Sequence, residues 1–140
     1  MALSAAGNPV GTVFEAVVVD NLTRTQIVQY AGASGDFNPL HPDEVFVTRV
    51  AGVPTVFAHG MLTMAMTGRM LTDTVGDGRL ARFGGRFRAQ VWPGDTLTAR
   101  AEVTGLVVED GDRLIELAVS TVNQDGLEVF SGNAAASADP

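Results

Sequence analysis

Residues 58–71 limit what this 140-residue chain can fold into more than any other segment. Nearly all of their side chains are small or apolar, and they include four of the five methionines. A helix without a clear polar face is normally buried on most of its sides. At about 1.5 Å per residue it is about 20 Å long, which is enough to cross a small domain. We therefore predict a long central helix, with most of its methionines in the core.

The chain after Gly78 shows the alternation of apolar and polar residues that is typical of half-buried strands. Alternation is clearest over residues 82–91 and 97–104. Turn residues stand at positions 92–95, 109–112 and 124–126. This spacing predicts an antiparallel meander of about four long strands, joined by those turns.

A further strand, rich in β-branched residues, is predicted over residues 12–20. The apolar helix is the only element large enough for these strands to cover. The predicted fold class is therefore α+β, with an antiparallel sheet of about five strands wrapped around one long helix.

Two shorter helices are predicted before the central one. Thr23 and Gln26 have the spacing of a capping box, so a helix is expected to run to about Ala31, where Gly32 ends it. A second short helix is expected from Pro42, ending before residues 52–54.

Composition excludes several classes of protein. The chain has no cysteine, which rules out disulfides, a thiolate nucleophile and cysteine-ligated zinc. A net charge of -7 argues against nucleic acid, because binding to phosphate backbones depends on clustered cations. The N-terminus has no basic region, and no apolar stretch is long enough for a membrane span. We expect one cytoplasmic domain over residues 1–140, with no nucleic-acid or membrane partner.

All nine basic residues are arginines, and four of them lie close together at positions 79, 82, 86 and 88. An arginine fork suits the phosphates of coenzyme A or of a phosphopantetheine arm, so Arg82, Arg86 and Arg88 are candidate phosphate contacts. The alternative is a solvated strand face, since alternation alone places polar residues there.

Both histidines of the chain stand in two short segments, residues 34–43 and 58–62. The first segment contains His41 and an aspartate, Asp36, on a turn with glycine and proline; the second contains His59. Groups that move protons near neutrality are therefore concentrated in one place. This concentration favours an enzyme.

The ordered pattern Tyr30-Ala31-x-x-Ser34-Gly35-Asp36-x-Asn38-Pro39-Leu40-His41-x-Asp43, followed by Ala58-His59-Gly60-Met61-Leu62, resembles the hydratase 2 motif of the MaoC-like family. Members of this family are (R)-specific enoyl thioester hydratases and 3-hydroxyacyl thioester dehydratases with a hot-dog fold. Within the family, the chain is also similar to the catalytic subunit of actinobacterial 3-hydroxyacyl-ACP dehydratases, which pairs with a related subunit.

The resemblance implies a reaction and its partners. The substrate is a 3-hydroxyacyl or trans-2-enoyl thioester on coenzyme A or an acyl carrier protein, and no separate cofactor or metal is expected. A homodimer, or a heterodimer with a related hot-dog subunit, is implied, because a single sheet leaves strand edges that a second unit can pair with.

The resemblance also implies roles for individual residues. Asp36 and His41 hold the reacting water, or the β-hydroxyl, and pass protons on one face of the substrate. The backbone N–H of Gly60 binds the thioester oxygen. The sequence supports this last role independently, because Gly60 lies where the apolar helix begins and where unpaired N–H groups favour an anionic oxygen.

Four residues are expected to support the site. Ser34 is predicted to make a local side-chain to backbone bond, and Asn38 either to organise the loop or to position water. Asp43 is predicted at the helix start, where it also orients His41 or the loop. His59 is predicted to be a structural hydrogen-bonding residue more than a second proton carrier.

Three other functions remain open from the sequence. A metal-dependent hydrolase could use His41, His59, Asp36 and Asp43 as ligands, although no His-x-x-x-His or His-x-His spacing supports it. A non-catalytic acyl-binding subunit of a hot-dog pair is a second alternative, which the intact Asp36 and His41 disfavour. A hot-dog thioesterase is the third, since its water only has to reach the carbonyl carbon instead of the β-carbon.

Overall fold

This computed structural model describes residues 2–139 of the chain, which contain six strands and three helices. The strands are β1 (Leu3–Ser4), β2 (Val13–Val19), β3 (Leu80–Phe87), β4 (Leu97–Glu109), β5 (Asp112–Val122) and β6 (Glu128–Asp139). The helices are α1 (Arg24–Ser34), α2 (Glu44–Arg49) and α3 (Gly60–Val75). Residues 1 and 140, the ends of the predicted domain, lie outside the described part.

The strands form one sheet in the order β1-β6-β5-β4-β2, and β3 pairs with β6. Every pairing is antiparallel except that of the two-residue β1 with β6. Strands β4, β5 and β6 form the predicted meander, but the prediction that β3 joins it through residues 92–95 is wrong. After these residues the chain crosses the sheet, and β4 lies between β5 and β2 instead of beside β3.

Helix α3 packs against one face of the sheet, where it contacts β2, β3, β4 and β6. Its buried residues are Thr63, Thr67, Met70, Leu71 and Val75. Met70, Leu71 and Val75 belong to the same core as alternate residues of β4 and β5, such as Ala101 and Leu117. The predicted arrangement of one sheet around one long helix is confirmed.

Helix α3 is covered on most of its sides but not on all of them. Residues at four-residue intervals form an exposed stripe: Met61, Ala65, Arg69 and Asp73. The other residues of α3 are buried or half-buried, so the prediction of burial on most sides is confirmed. Met70 is in the core and Met64 and Met66 pack against core clusters, whereas Met61 is 53% exposed.

Both short helices are present, with corrected ends. The capping box of Thr23 and Gln26 starts α1 as predicted, but the helix continues past Gly32 to Ser34. Gly35 ends it in the left-handed conformation, with φ 75°, which glycine adopts without steric cost. In α2, Asp43 is the N-cap and its carboxylate accepts the Phe46 N–H, so the helix begins after Pro42.

The whole arrangement is the α+β hot-dog architecture that the resemblance implies. Within the described residues, no helix combines the length and apolar character that crossing a bilayer demands.

Candidate active site

The loop after α1 is held by a series of side-chain to backbone hydrogen bonds. Ser34 Oγ accepts the N–H of Asp36 at 3.2 Å, and Asp36 Oδ1 accepts the N–H of Asn38 at 3.1 Å. Asn38 Oδ1 in turn accepts the N–H of Leu40 at 3.1 Å. Each bond spans two residues, as in Asx and Ser/Thr turns. The local bond predicted for Ser34 is present, and Asn38 organises the loop. The Asp36 carboxylate is held by the backbone N–H of Asn38.

His41 is held by the segment that leads to α3. The residue is 8% exposed, and its Nδ1 lies 2.6 Å from the carbonyl oxygen of Phe57. A carbonyl only accepts, so the proton of this bond is on Nδ1. The lone pair of the neutral imidazole is therefore on Nε2. This is the tautomer that a general base needs when Nδ1 is anchored.

His59, the N-cap of α3, contacts both of the predicted catalytic residues. Its Nε2 lies 2.9 Å from the Asp36 carbonyl oxygen, to which it donates. Its ring stacks on the ring of His41, with centroids 3.8 Å apart and planes at 25°, and Tyr30 packs edge-on against the same ring, with centroids 4.8 Å apart. His59 is 3% exposed and makes no side-chain cap bond. The structural hydrogen bond that the sequence predicts for it is present.

These contacts bring three ionisable residues together. One carboxylate oxygen of Asp36 and one ring nitrogen each of His41 and His59 lie within 4.8 Å of one another. Asp36 is exposed while both histidines are buried, so the cluster opens to solvent on the carboxylate side. Asp43, the fourth ligand of the metal hypothesis, lies outside this cluster and caps α2 instead.

Gly60 directly follows His59 and is the first residue of α3. Within residues 2–139 its N–H has no hydrogen-bond partner, as is usual for the first turn of a helix. A Cβ at this position would lie 2.8 Å from the ring of Phe87, so a larger residue would have to displace that ring. The unpaired amide therefore lies one residue from the cluster of ionisable groups.

A cavity of about 300 Å³ opens at this end of α3. Its lining includes Phe57, Gly60, Thr63, Phe87, Arg88 and Val129. Asp36, His41 and His59 do not line this cavity. Phe57, whose carbonyl holds His41, is a lining residue that contacts the cluster. Sequence reasoning missed Thr63 and Phe87; the alternation of residues 82–91 identifies Phe87 only as a residue of the apolar face.

Glu44 of α2 anchors the segment before His59. Its carboxylate accepts the Thr55 hydroxyl at 2.9 Å and the Val56 N–H at 3.2 Å. Arg24 of α1 donates to the same hydroxyl at 2.8 Å and lies 3.6 Å from Glu44. The bond from Thr55, the bond from the Val56 amide and the charge of Arg24 lower the pKa of Glu44. No local pattern indicates this anchor, because its partners are 11 to 20 positions away.

The predicted phosphate contacts differ in their surroundings. Arg82 binds Glu109 at 2.6 Å and Glu116 at 3.0 Å and does not line the cavity. Arg88 lines the cavity and donates to Ser131 Oγ at 2.8 Å. Arg86 is exposed and has no ion pair within residues 2–139. The three arginines therefore do not form one site.

Comparison with known proteins places the chain in a family. Residues 5–126 match the model of the MaoC like domain. The chain belongs to this family of MaoC-like dehydratase domains.

The chain has relatives among curated protein sequences and among solved structures. One curated relative is 3-hydroxyacyl-thioester dehydratase Y of Mycobacterium tuberculosis, 37% identical over 83 residues, which cover 57% of this chain and 29% of that protein. The chain spans about a third or less of the length of the first curated relatives that it matches.

Two solved structures extend the comparison to the fold. The unliganded R-hydratase PhaJ1 from Pseudomonas aeruginosa has a TM-score of 0.83 and 26% identity, over 98% of this chain and 86% of that one. A chain of the ChsH1-ChsH2 complex from Mycobacterium tuberculosis has a TM-score of 0.73 and 26% identity, over 93% of this chain and 98% of that one.

Proposed function

We propose that this protein catalyses the reversible addition of water to a trans-2-enoyl thioester, giving an (R)-3-hydroxyacyl thioester. One observation carries the proposal. The Asp36 carboxylate, a ring nitrogen of His41 and a ring nitrogen of His59 lie within 4.8 Å of one another. The residue after His59 is Gly60, whose backbone N–H has no hydrogen-bond partner in the described chain. The names of the dehydratase and R-hydratase relatives support the same reaction.

The reaction needs a base for water, an acid for the α-carbon and a partner for the thioester oxygen. In the hydration direction, one water is held between the Asp36 carboxylate and Nε2 of His41. Its oxygen attacks the β-carbon while this pair takes its proton. Electron density moves onto the thioester oxygen, which accepts the Gly60 N–H. A proton from the same pair then goes to the α-carbon on the same face, and dehydration is the reverse path.

The substrate is proposed to arrive on a phosphopantetheine arm, either of coenzyme A or of an acyl carrier protein. Arg86 and Arg88 are the proposed phosphate contacts. Arg88 lines the cavity and lies 3.9 Å from the Glu128 carboxylate, a longer contact than those of Arg82, and Arg86 has no ion pair in the described chain. Arg82 is a weaker candidate because two carboxylates already bind it. A cytoplasmic location and the absence of a separate cofactor remain predictions.

A metal site at the cluster fits the hydrogen bonds poorly. Nδ1 of His41 and Nε2 of His59 already donate to carbonyls, and Nδ1 of His59 is closed off from solvent. That leaves one carboxylate and one ring nitrogen, whereas catalytic zinc normally has three protein ligands. We therefore expect full activity after dialysis against EDTA.

The assembly is proposed to be a dimer of hot-dog units. Strand β3 pairs only with β6 in the described chain, so its other edge has unsatisfied backbone groups beside the cavity. A second copy or a related subunit can pair with this edge. The ChsH1-ChsH2 complex is a structural neighbour that contains two different chains, which supports the second form.

The test is an assay of crotonyl-CoA and a longer enoyl-CoA with two readouts. Loss of the enoyl absorbance reports hydration, and release of free thiol reports thioesterase activity. We expect loss of absorbance without thiol, and a fall of about 100-fold or more for Asp36→Asn. Asp112→Asn, an exposed aspartate at the start of β5, is the matched control and should keep the wild-type rate. Thiol release by the wild type, or a fully active Asp36→Asn, would contradict the proposal.

A further inference from the structure

Two buried side-chain polar atoms within residues 2–139 have no hydrogen-bond partner: Thr63 Oγ1 and His59 Nδ1. Thr63 is 2% exposed. Buried hydroxyl groups in folded proteins are nearly always bonded, so each exception calls for an explanation. A partner that is absent from the free protein is one such explanation.

The next threonine of the same helix shows what an ordinary buried hydroxyl does here. Thr67 lies one turn further along α3 and is fully buried. Its hydroxyl donates to the Thr63 carbonyl at 2.9 Å and bonds the hydroxyl of Thr121 at 2.7 Å. The hydroxyl of Thr67 thus has one partner on α3 and one on β5. The hydroxyl of Thr63, one turn earlier on the same helix, has no partner within the described residues.

Thr63 lines the cavity at the N-terminal end of α3, together with Gly60. Side chains on a helix lean towards its N-terminus, so the Thr63 side chain covers the turn that carries Gly60. A threonine in a helix also has two accessible χ1 rotamers, which place the hydroxyl in different positions around the Cα–Cβ bond. The hydroxyl can therefore change direction without any movement of the backbone, and a bond to a ligand in the cavity requires that one of these positions faces the cavity.

We propose that the Thr63 hydroxyl and the Gly60 N–H bind the same atom, the carbonyl oxygen of the acyl thioester. This inference rests on the proposed function and adds a binding residue to that site. The oxygen gains negative charge during hydration, and two converging donors stabilise it better than one. Binding also gives the orphan hydroxyl the partner that the free protein lacks.

The first test compares Thr63→Val, Thr63→Ser and the matched core variant Thr67→Val in the hydration of crotonyl-CoA. We expect Thr63→Val to lower kcat/KM about 100-fold, and Thr63→Ser to retain most of it. Thr63→Val should keep or raise the melting temperature, because it removes an unbonded hydroxyl, whereas Thr67→Val should lower it. A wild-type rate for Thr63→Val, or a loss of melting temperature equal to that of Thr67→Val, would overturn the inference. The second result would mean that the hydroxyl is bonded within the protein.

The second test does not depend on turnover. Binding of butyryl-CoA, which has the thioester carbonyl but no double bond, is compared with binding of S-butyl-CoA, a thioether without that carbonyl. Thr63→Val should weaken butyryl-CoA by roughly fivefold and leave S-butyl-CoA unchanged. Equal weakening of both ligands would overturn the inference.

These readouts separate the two proposals. If the wild type hydrates no enoyl thioester but the loss specific to butyryl-CoA is found, the proposed function fails and the role of Thr63 stands. If the wild type hydrates crotonyl-CoA and Thr63→Val behaves like the wild type, only the role of Thr63 fails. If neither the wild-type chain nor its complex with a related hot-dog subunit binds an acyl thioester on coenzyme A or on an acyl carrier protein, both proposals are overturned.

Discussion

His59 connects the two residues that are proposed to handle the water. Its Nε2–H holds the Asp36 carbonyl, and its ring stacks on His41. Catalytic geometry is sensitive to displacements of about 1 Å, which can cost about 100-fold in rate. We therefore expect His59 to act through its neighbours, as a positioning residue and not as a carrier of the transferred proton.

Two substitutions of His59 separate its two contacts. His59→Gln keeps a donor that can reach the Asp36 carbonyl but loses the ring, while His59→Phe keeps a ring and loses the donor. We expect kcat to fall about 10-fold in the first and about 100-fold in the second, because the second leaves the Asp36 loop untethered. The pH profile of kcat/KM should keep its shape in both. Loss of one limb of that profile in both variants would identify His59 as a proton carrier.

At the scale of residues, the sequence predicts what is local. The bond of Ser34, the cap at Asp43 and the position of Gly60 at a helix start depend on neighbours within four positions. The ring of Phe87 over Gly60 is 27 positions away in the chain. This contact depends on the position of β3 in the sheet, which its pairing with β6 sets, so no local pattern indicates it.

At the scale of elements, α2 serves as a clamp on the segment before α3. The Glu44 carboxylate accepts hydrogen bonds from the Thr55 hydroxyl and the Val56 N–H. Arg24 of α1 donates a hydrogen bond to the same Thr55 hydroxyl. The carbonyl of Phe57, one residue further on, fixes the His41 ring. The orientation of the proposed base thus depends on an ion pair and hydrogen bonds at the surface.

Because its pKa is lowered in the folded protein, Glu44 makes folding stability depend on pH. The folded state binds this proton more weakly than the unfolded chain does. The stabilisation is therefore present above the unfolded pKa, about 4.3, and is lost as the pH falls through the lowered folded value. Glu44→Gln lacks it at every pH.

We accordingly expect Glu44→Gln to melt at a lower temperature than the wild type at pH 7. The difference should shrink as the pH is lowered from about 5 towards 3, as thermal unfolding followed by circular dichroism would show. Glu15→Gln, at an exposed position on β2 without an ion pair in the described chain, is the control and should melt like the wild type at pH 7. A difference that persists unchanged at pH 3 would contradict this account.

The pairing of elements is where sequence reasoning failed. Alternation and turn residues locate β3, β4, β5 and β6, but they do not say which strands are neighbours. The turn at residues 92–95 is compatible with a hairpin between β3 and β4, and equally with a crossover that places β4 beside β2. The pairing of β4 with β2 joins residues about 80 positions apart in the sequence, so no local pattern indicates it.

At the scale of the whole molecule, the exposed stripe on α3 and the free edge of β3 point to an incomplete unit. Phe87 at the end of β3 is 50% exposed and Met61 on α3 is 53% exposed. Both are beside the proposed oxyanion site at Gly60. A second hot-dog unit on this edge would cover them and would close the cavity from outside.

Light scattering coupled to size-exclusion chromatography tests this arrangement. We expect a mass of twice 14.6 kDa for the purified chain at micromolar concentration, and a loss of specific activity on dilution below the range in which the dimer persists. If the chain is inactive alone and gains activity with a related hot-dog subunit, the heterodimer is the correct form. A monomer with full activity would contradict a site that a second unit completes.

The most direct measurement of the shared water is a double-mutant cycle on enoyl-CoA hydration with Asp36→Asn, His41→Ala and the double variant. Each single variant should lose about 100- to 10,000-fold in rate. If both groups act on one water as a unit, as proposed, the double variant should lose little more than the worse single variant. Losses that multiply, or a single variant at the wild-type rate, would show that Asp36 and His41 do not work on the same molecule.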